Sequence, residues 1–321
     1  MRLAGFSALA AAVALLPVLF PDNYYVTVVG VCAGLNIILA VTLNLLIGYT
    51  GQISLGHAAF FGLGAYTSAI LTTRCGWNPW LAMTAGLVIV FAVAQGIARP
   101  ILRLRGHYLA MATLGFGIIV HIAMVQGVAW TGGPDGVAGI PDLSLFGWAV
   151  NTNLHWYGVV AVAMLFTVWV SLNIIDSRIG RALRAVHGSE FAAQMMGVDT
   201  AQAKTQAFVL SALFAALAGS LFAHQQGFVS PDSFNFFFSV ELVTMVVLGG
   251  MASTFGAVFG AAVLTLLPEV LVVFEDYEVL IYGGILVSIM IFLPQGLFVG
   301  LSRLIQRRWA RRRPPAPAIE G

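Results

Sequence analysis

Long apolar stretches, separated by brief polar ones, set the plan of this chain. No Asp, Glu, Lys or Arg occurs from Tyr24 to Thr73, Cys75 to Ala98, Gly106 to Pro134, Leu143 to Ile175, Thr205 to Pro231, Leu242 to Pro268 or Val279 to Ser302. A helix crosses a hydrocarbon core of about 30 Å with about 20 predominantly apolar residues, so each run holds at least one crossing. Backbone groups in lipid must be hydrogen-bonded within their own segment, so the runs read as helices. The strict alternation that marks a membrane barrel is absent.

Two runs are too long for a single crossing, and each contains a break. Tyr24 to Thr73 must cross twice, and its middle, Gly48-Tyr49-Thr50-Gly51-Gln52-Ile53-Ser54-Leu55-Gly56-His57, is a glycine-rich polar patch that favours a turn or an unwound stretch. Val240 to Leu267 as one helix would be roughly 42 Å long at about 1.5 Å per residue, which places a second break at Gly249-Gly250. The expected spans are 3 to 20, 26 to 47, 57 to 73, 80 to 98, 108 to 128, 156 to 175, 206 to 226, 238 to 249, 254 to 268 and 279 to 300. The predicted fold is all-α: a polytopic integral membrane bundle of about ten spans (range 8–10).

Composition agrees, because 60% of the 321 residues are hydrophobic, only 9% are charged and the mean hydropathy is +0.93. Soluble domains carry about 25% charged residues. Lipid is therefore the main solvent of this chain, and a net charge of +2 points to no nucleic-acid partner. The placement of charge says more than its sum. Arg2, then Arg99, Arg103 and Arg105, then Arg178, Arg181, Arg184 and Lys204, then the six arginines from Arg303 to Arg313 fall on alternate loops and leave only Arg74 on the other side. Positive residues in short loops mark the cytoplasmic face, so both termini are expected there. Asp22, Asp135, Asp142, Asp232, Glu275, Asp276 and Glu278 collect on the opposite face.

The first apolar stretch, Leu3 to Phe20, follows Arg2 as a secretory signal would, but no small-residue cleavage site follows it, so it is expected to be retained as a helix. Residues 1–300 form the expected transmembrane domain. Residues 301–321, basic and proline-rich, form a cytoplasmic tail suited to an anionic inner surface.

Catalytic chemistry finds no support. His57, His107, His121, His155, His187 and His224 show no metal-ligand spacing, and Cys32 and Cys75 form no C-x-x-C pattern, so no metal site is expected. The only lysine, Lys204, follows Val198-Asp199-Thr200-Ala201-Gln202-Ala203 and lacks the glycine-rich cradle of a phosphate-binding loop. Any nucleotide must be hydrolysed on another subunit. An ion-coupled secondary transporter needs ionisable groups well inside its spans. Here Glu241 and Glu269 lie only at expected span ends. Small residues at helical spacing, such as Ser211, Ala215 and Gly219, or Gly256 and Gly260, instead suit close helix packing.

The order of motifs carries a resemblance. Asn44-Leu45-Leu46-Ile47-Gly48-Tyr49-Thr50-Gly51-Gln52-Ile53-Ser54-Leu55-Gly56-His57-Ala58-Ala59-Phe60-Phe61-Gly62-Leu63-Gly64-Ala65-Tyr66 resembles the signature of branched-chain amino-acid ABC permeases of the LivM type. Leu104 to Leu114, Thr131 to Gly136, Gly180 to Val186, Val247 to Met251 and Leu293 to Leu297 follow in matching order, so the resemblance covers roughly residues 25 to 300.

The resemblance implies a bacterial inner-membrane importer. Its parts would be this permease, a second homologous permease subunit, two cytoplasmic ABC ATPase subunits and a periplasmic solute-binding protein. It implies no cofactor on this chain, since ATP is used by the ATPase. The expected cargo is a branched-chain amino acid, with urea or another small polar solute as the alternative within the family. Tyr49, Thr50, Gln52, Ser54 and His57 are candidates for the translocation pathway, because irregular backbone at membrane depth adjoins either protein or a water-filled cavity.

ABC permeases often dock on the ATPase through a cytoplasmic E-A-A-x-x-x-G element. Here Ala192-Ala193-Gln194-Met195-Met196-Gly197 keeps the A-A-x-x-x-G spacing while Phe191 displaces Glu190 from its place. Ser189 can cap a short helix that Gly197 ends, with Phe191 and Met195 on one face. The candidate coupling residues are thus Ser189, Glu190, Phe191, Ala192, Ala193, Met195 and Gly197.

Overall fold

The structure, a computed structural model, describes residues 2–19, 24–145, 148–272, 277–292, 296 and 300. The basic tail 301–321 and the outward acids Asp22, Glu275 and Asp276 lie outside the described residues. The helices are α1 (Arg2–Leu19), α2 (Gly30–Thr50), α3 (His57–Thr73), α4 (Pro79–Ile101), α5 (His107–Gln126), α6 (Val128–Thr131), α7 (Asn153–Asp176), α8 (Arg178–Gly188), α9 (Glu190–Met195), α10 (Thr200–Gln226), α11 (Phe236–Gly249), α12 (Thr254–Leu271) and α13 (Glu278–Phe292).

Each expected span overlaps one of these helices. Among the described residues, six helical stretches are long and apolar enough to cross a membrane: Val26–Thr50, Pro79–Ile101, His107–Gln126, Asn153–Asp176, Thr200–Gln226 and Thr254–Leu271. Gly5–Leu19 and Phe236–Gly249 are shorter apolar helices. The protein is accordingly an all-α polytopic membrane protein.

Polar residues at the helix starts explain where many of the helices begin. Asn78, Thr152, Ser177, Ser189, Asp199, Asn235 and Ser253 each accept a backbone N–H from the first turn of the helix that follows. In so apolar a chain these caps satisfy amides that lipid would leave unpaired.

The centre of the bundle is α10, which packs on α2, α3 and α4. Close approach there depends on missing side chains. A carbon added at Gly219 would overlap the Phe61 carbonyl oxygen, and one at Gly64 would overlap the carbonyl of Ala216. Ser211 donates to Thr42 O at 2.9 Å and Ser220 to Gly64 O at 3.1 Å, fastening α10 to α2 and α3 through backbone carbonyls. In contrast α5 buries only a stripe of Leu109, Thr113, Val120 and Met124, one face at helical spacing.

The connecting segments gather at two ends. At one, Arg105 of the α4–α5 connection meets Glu190, and Gly51 lies against His187 of α8. At the other, β1 (Val137–Ala138) pairs antiparallel with β4 (Phe228–Val229), and β2 (Ser144–Leu145) with β3 (Trp148–Ala149). The periodicity of the sequence predicts none of these two-residue pairs. Arg74 donates to Ala129 O, and Trp80 Nε1 to Ser144 O at 2.8 Å, at this second end. Among the described residues, Arg105 and the α8–α9 connection thus share one end, and Arg74 lies at the other.

Candidate functional site

The polar patch after α2 is an irregular segment of six residues, 51–56, between two helices. Tyr49 and Thr50 still belong to α2, and both are buried. Thr50 Oγ1 donates to Leu46 O. Gly51 then takes the left-handed conformation, φ 71°, and its amide bonds Ile47 O at 3.1 Å, a left-handed cap that glycine adopts without Cβ strain. Gly51 and Ile53 face outward while Gln52 and Ser54 are buried, the alternation of extended backbone. Leu55 N bonds Thr113 Oγ1 of α5 at 3.0 Å, and Ala58 N bonds Ser239 Oγ of α11 at 3.1 Å. The segment is thereby held between α5 and α11.

His57, the first residue of α3, is 2% exposed, and its Nε2 has no hydrogen-bond partner among the described residues. Gln52 Oε1 is in the same condition. An unpaired buried polar atom costs about 1–3 kcal/mol, so two within six residues are a local cost that no described residue offsets. A water-sized cavity of about 10 Å³ beside α3 is lined by Leu55, Ala58, Asn235 and Ser239 among others, and not by the five candidate pathway residues. His224, by contrast, is satisfied by Ser68 Oγ at 2.8 Å and Pro141 O at 2.7 Å and serves packing. No cluster of three His, Cys, Asp or Glu side chains suited to a metal occurs among the described residues.

The second candidate region joins α7 to α10. Ser177 caps α8, whose buried stripe is Gly180, Leu183 and Val186, and Arg184 Nη2 returns to Ile175 O at 2.9 Å. Ser189 Oγ accepts the Ala192 amide at 3.3 Å to start α9, Ala193 is buried beneath it, and Gly197 at φ 81° closes it. Phe191 and Met195, at helical spacing, are each 68% exposed, and Met196 is 84% exposed. Three large apolar side chains thus stand clear of the bundle, two on one short helix and one on the residue that follows it.

Sequence reasoning passed over the ion network beside them. Glu190 Oε1 bonds Lys204 Nζ at 2.5 Å, and Glu190 Oε2 lies 3.2 Å from Arg105 Nε. Gln194 Nε2 donates to Thr200 Oγ1 at 2.9 Å, which itself reaches Glu190 Oε1 at 3.5 Å. The signal was available: Lys204 sits on the helical stripe continued by Ala207, Ser211 and Ala215, so it lies on the buried face of α10.

Buried small-residue seams, an irregular polar segment between helices and an apolar projection from one connecting segment define a polytopic α-helical membrane bundle. The family described as branched-chain amino acid transport system, permease component, matches residues 25–290. LivM of Salmonella typhimurium, a high-affinity branched-chain amino acid transport system permease protein, is 36% identical over 284 residues, 81% of this chain and 67% of that one. LivH of Escherichia coli K12, likewise a permease of the branched-chain amino acid system, is 24% identical over 81% of this chain and 90% of its own. LsrC of Escherichia coli O9:H4, an autoinducer 2 import permease, is 30% identical over 65% of this chain and 62% of its own. No solved structure matches the chain. The chain belongs to the branched-chain amino-acid transport permease family. It is a multi-pass inner-membrane protein, a permease of an ABC importer, and a transport component in place of an enzyme.

Proposed function

We propose that this chain forms one half of the passage for branched-chain amino acids, with a second homologous permease forming the other half. A periplasmic binding protein delivers the solute, and two cytoplasmic ATPase subunits drive its release inward. The observation that carries the cargo assignment is the 36% identity to LivM across 81% of the chain. Ten spans place both termini in the cytoplasm, residues 1–300 in the membrane and 301–321 along its inner surface, a reading supported by the two-ended grouping of the connecting segments. No cofactor is required on this chain, because nucleotide is consumed by the partner.

The exposed Phe191 and Met195 on α9, with Met196 directly after it, are the ATPase contact in this reading, an apolar helix face suited to a groove on a partner. The test is ATP-dependent uptake of radiolabelled leucine by the complex reconstituted with both permeases, the ATPases and the binding protein. Leucine uptake that urea and autoinducer 2 fail to compete supports the assignment. Urea uptake without leucine uptake overturns it. Phe191→Asp should leave the permease in the membrane but strip the ATPase on co-purification, and retained ATPase overturns the docking face.

A further inference from the structure

The one lysine of the chain is buried. Lys204 is 4% exposed, and its Nζ is held by Glu190 Oε1 at 2.5 Å. A buried charge persists only with a partner, and breaking such a pair from one side is far more disruptive than losing a surface ion pair. The contact from Arg105 to the same carboxylate is different in kind, because the Arg105 side chain is 71% exposed and solvent screens it. Lys204 is therefore the dominant partner of Glu190.

The position of the pair gives it a use. Glu190 is the first residue of α9, the helix that projects Phe191 and Met195. Lys204 lies in the second turn of α10, the helix that packs on α2, α3 and α4. The far end of α9 is tied to α10 as well, through Gln194 and Thr200. The Arg105 arm reaches the segment that enters α5, and α5 in turn bonds Leu55 of the irregular segment through Thr113. The element held through Lys204, α10, thus touches the helices on either side of that segment, through Ser211 on α2 and Gly219 on α3, while the screened Arg105 contact only adds to it.

We infer that Glu190 and Lys204 are positioning residues that transmit movement of α9 into α10 and so to the irregular segment 51–56, coupling nucleotide hydrolysis to passage of solute. The inference rests on α9 being the ATPase contact. The carboxylate acts through Lys204 and touches neither solute nor nucleotide. With the pair intact, α9 and the start of α10 move as one body. With it broken, α9 can stay docked while α10 no longer follows.

The test uses the reconstituted importer and reads three quantities: ATPase retained on co-purification, ATP hydrolysis stimulated by the loaded binding protein, and solute taken up per ATP hydrolysed. Glu190→Gln and Lys204→Met should keep the ATPase bound yet lower uptake per ATP by at least about tenfold. Lys204→Arg, and the reversed pair Glu190→Lys with Lys204→Glu, should recover most of it. Arg105→Ala should change it less than about twofold. If Lys204→Met fails to accumulate, Glu190→Gln and the reversed pair carry the comparison. Normal uptake per ATP in Glu190→Gln overturns the inference, as does a folded reversed pair that is no better coupled than Glu190→Gln. Failure of the docking reading is separate: Phe191→Asp would then retain the ATPase, whatever the ion-pair variants do.

Discussion

Asn44, inside α2, accepts the backbone N–H of Ala252 on its Oδ1 at 3.0 Å, and its Nδ2 donates to the Ser253 carbonyl at 3.1 Å. One amide side chain thereby pairs the Ala252 amide and adds a second donor to the Ser253 carbonyl, which also accepts the Ala257 amide, in the turn between α11 and α12. Ala252 is the only residue other than glycine with positive φ, 59°, among the described residues. Such a conformation costs an L residue energy that its surroundings must supply. Asn44 supplies part of it.

Replacing Asn44 with Leu leaves the Ala252 amide without its acceptor at a position that is 1% exposed, while the Ser253 carbonyl keeps the Ala257 amide at 3.0 Å. One orphaned amide costs about 1–3 kcal/mol, so the apparent melting temperature of the detergent-purified protein should fall by a few degrees. An unchanged transition in Asn44→Leu would show that the turn holds without this clamp.

The seam between α3 and α10 makes a prediction about size. Gly64→Val places its new side chain against the Ala216 backbone, which cannot yield as a flexible side chain does. Overpacking of this kind costs about 1–3 kcal/mol or more. Gly96→Val on α4 meets nothing within 4 Å and serves as the control. Yields of monodisperse protein after extraction should collapse for the first and hold for the second; equal yields would mean that the helices can part at little cost.

Much of this architecture is legible in the sequence because lipid imposes a simple rule. Charge-free runs long enough to cross must be helices, and the caps Asn78, Ser177, Asp199 and Ser253 punctuate them visibly. The break around Gln52 and the turn at Gly249-Gly250 were legible for the same reason, since an uninterrupted helix would overrun the bilayer. The spacing of Phe191 and Met195, with Ser189 before them, likewise gave α9. What was not legible depends on contact between distant segments. Asn44 meets Ala252 across 208 positions, and Glu190 meets Arg105 across the α5 and α7 spans. Nothing in local periodicity encodes such pairs. The strand pairs β1–β4 and β2–β3 escaped because two residues are too few for any period to register.

The two-ended arrangement predicts accessibility. In a background lacking Cys32 and Cys75, a cysteine at the exposed Asp135 should react with a membrane-impermeant maleimide added to intact cells. One at Ser189, and one in the tail beyond residue 300, should react only after permeabilisation. Labelling of position 189 from outside would invert the orientation and with it the placement of α9 at the ATPase.

The irregular segment gives the sharpest test of the pathway. Gln52 and Ser54 are buried on the same side of extended backbone, and Gln52 Oε1 and His57 Nε2 lack partners among the described residues. Packing alone would favour apolar side chains there, because an unpaired polar atom in a dry interior is a net cost. If the segment borders the passage, that cost is offset whenever water or solute arrives. The two accounts diverge on substitution. Gln52→Leu and Ser54→Ala remove polarity with little change of volume, so packing predicts equal or greater stability and normal uptake, whereas a pathway role predicts a stable complex with uptake reduced several-fold. Gln52→Trp and Ser54→Trp add bulk and should block uptake while the permease pair still co-purifies with its ATPase. Full uptake by both tryptophan variants in an assembled complex would remove these two residues from the passage.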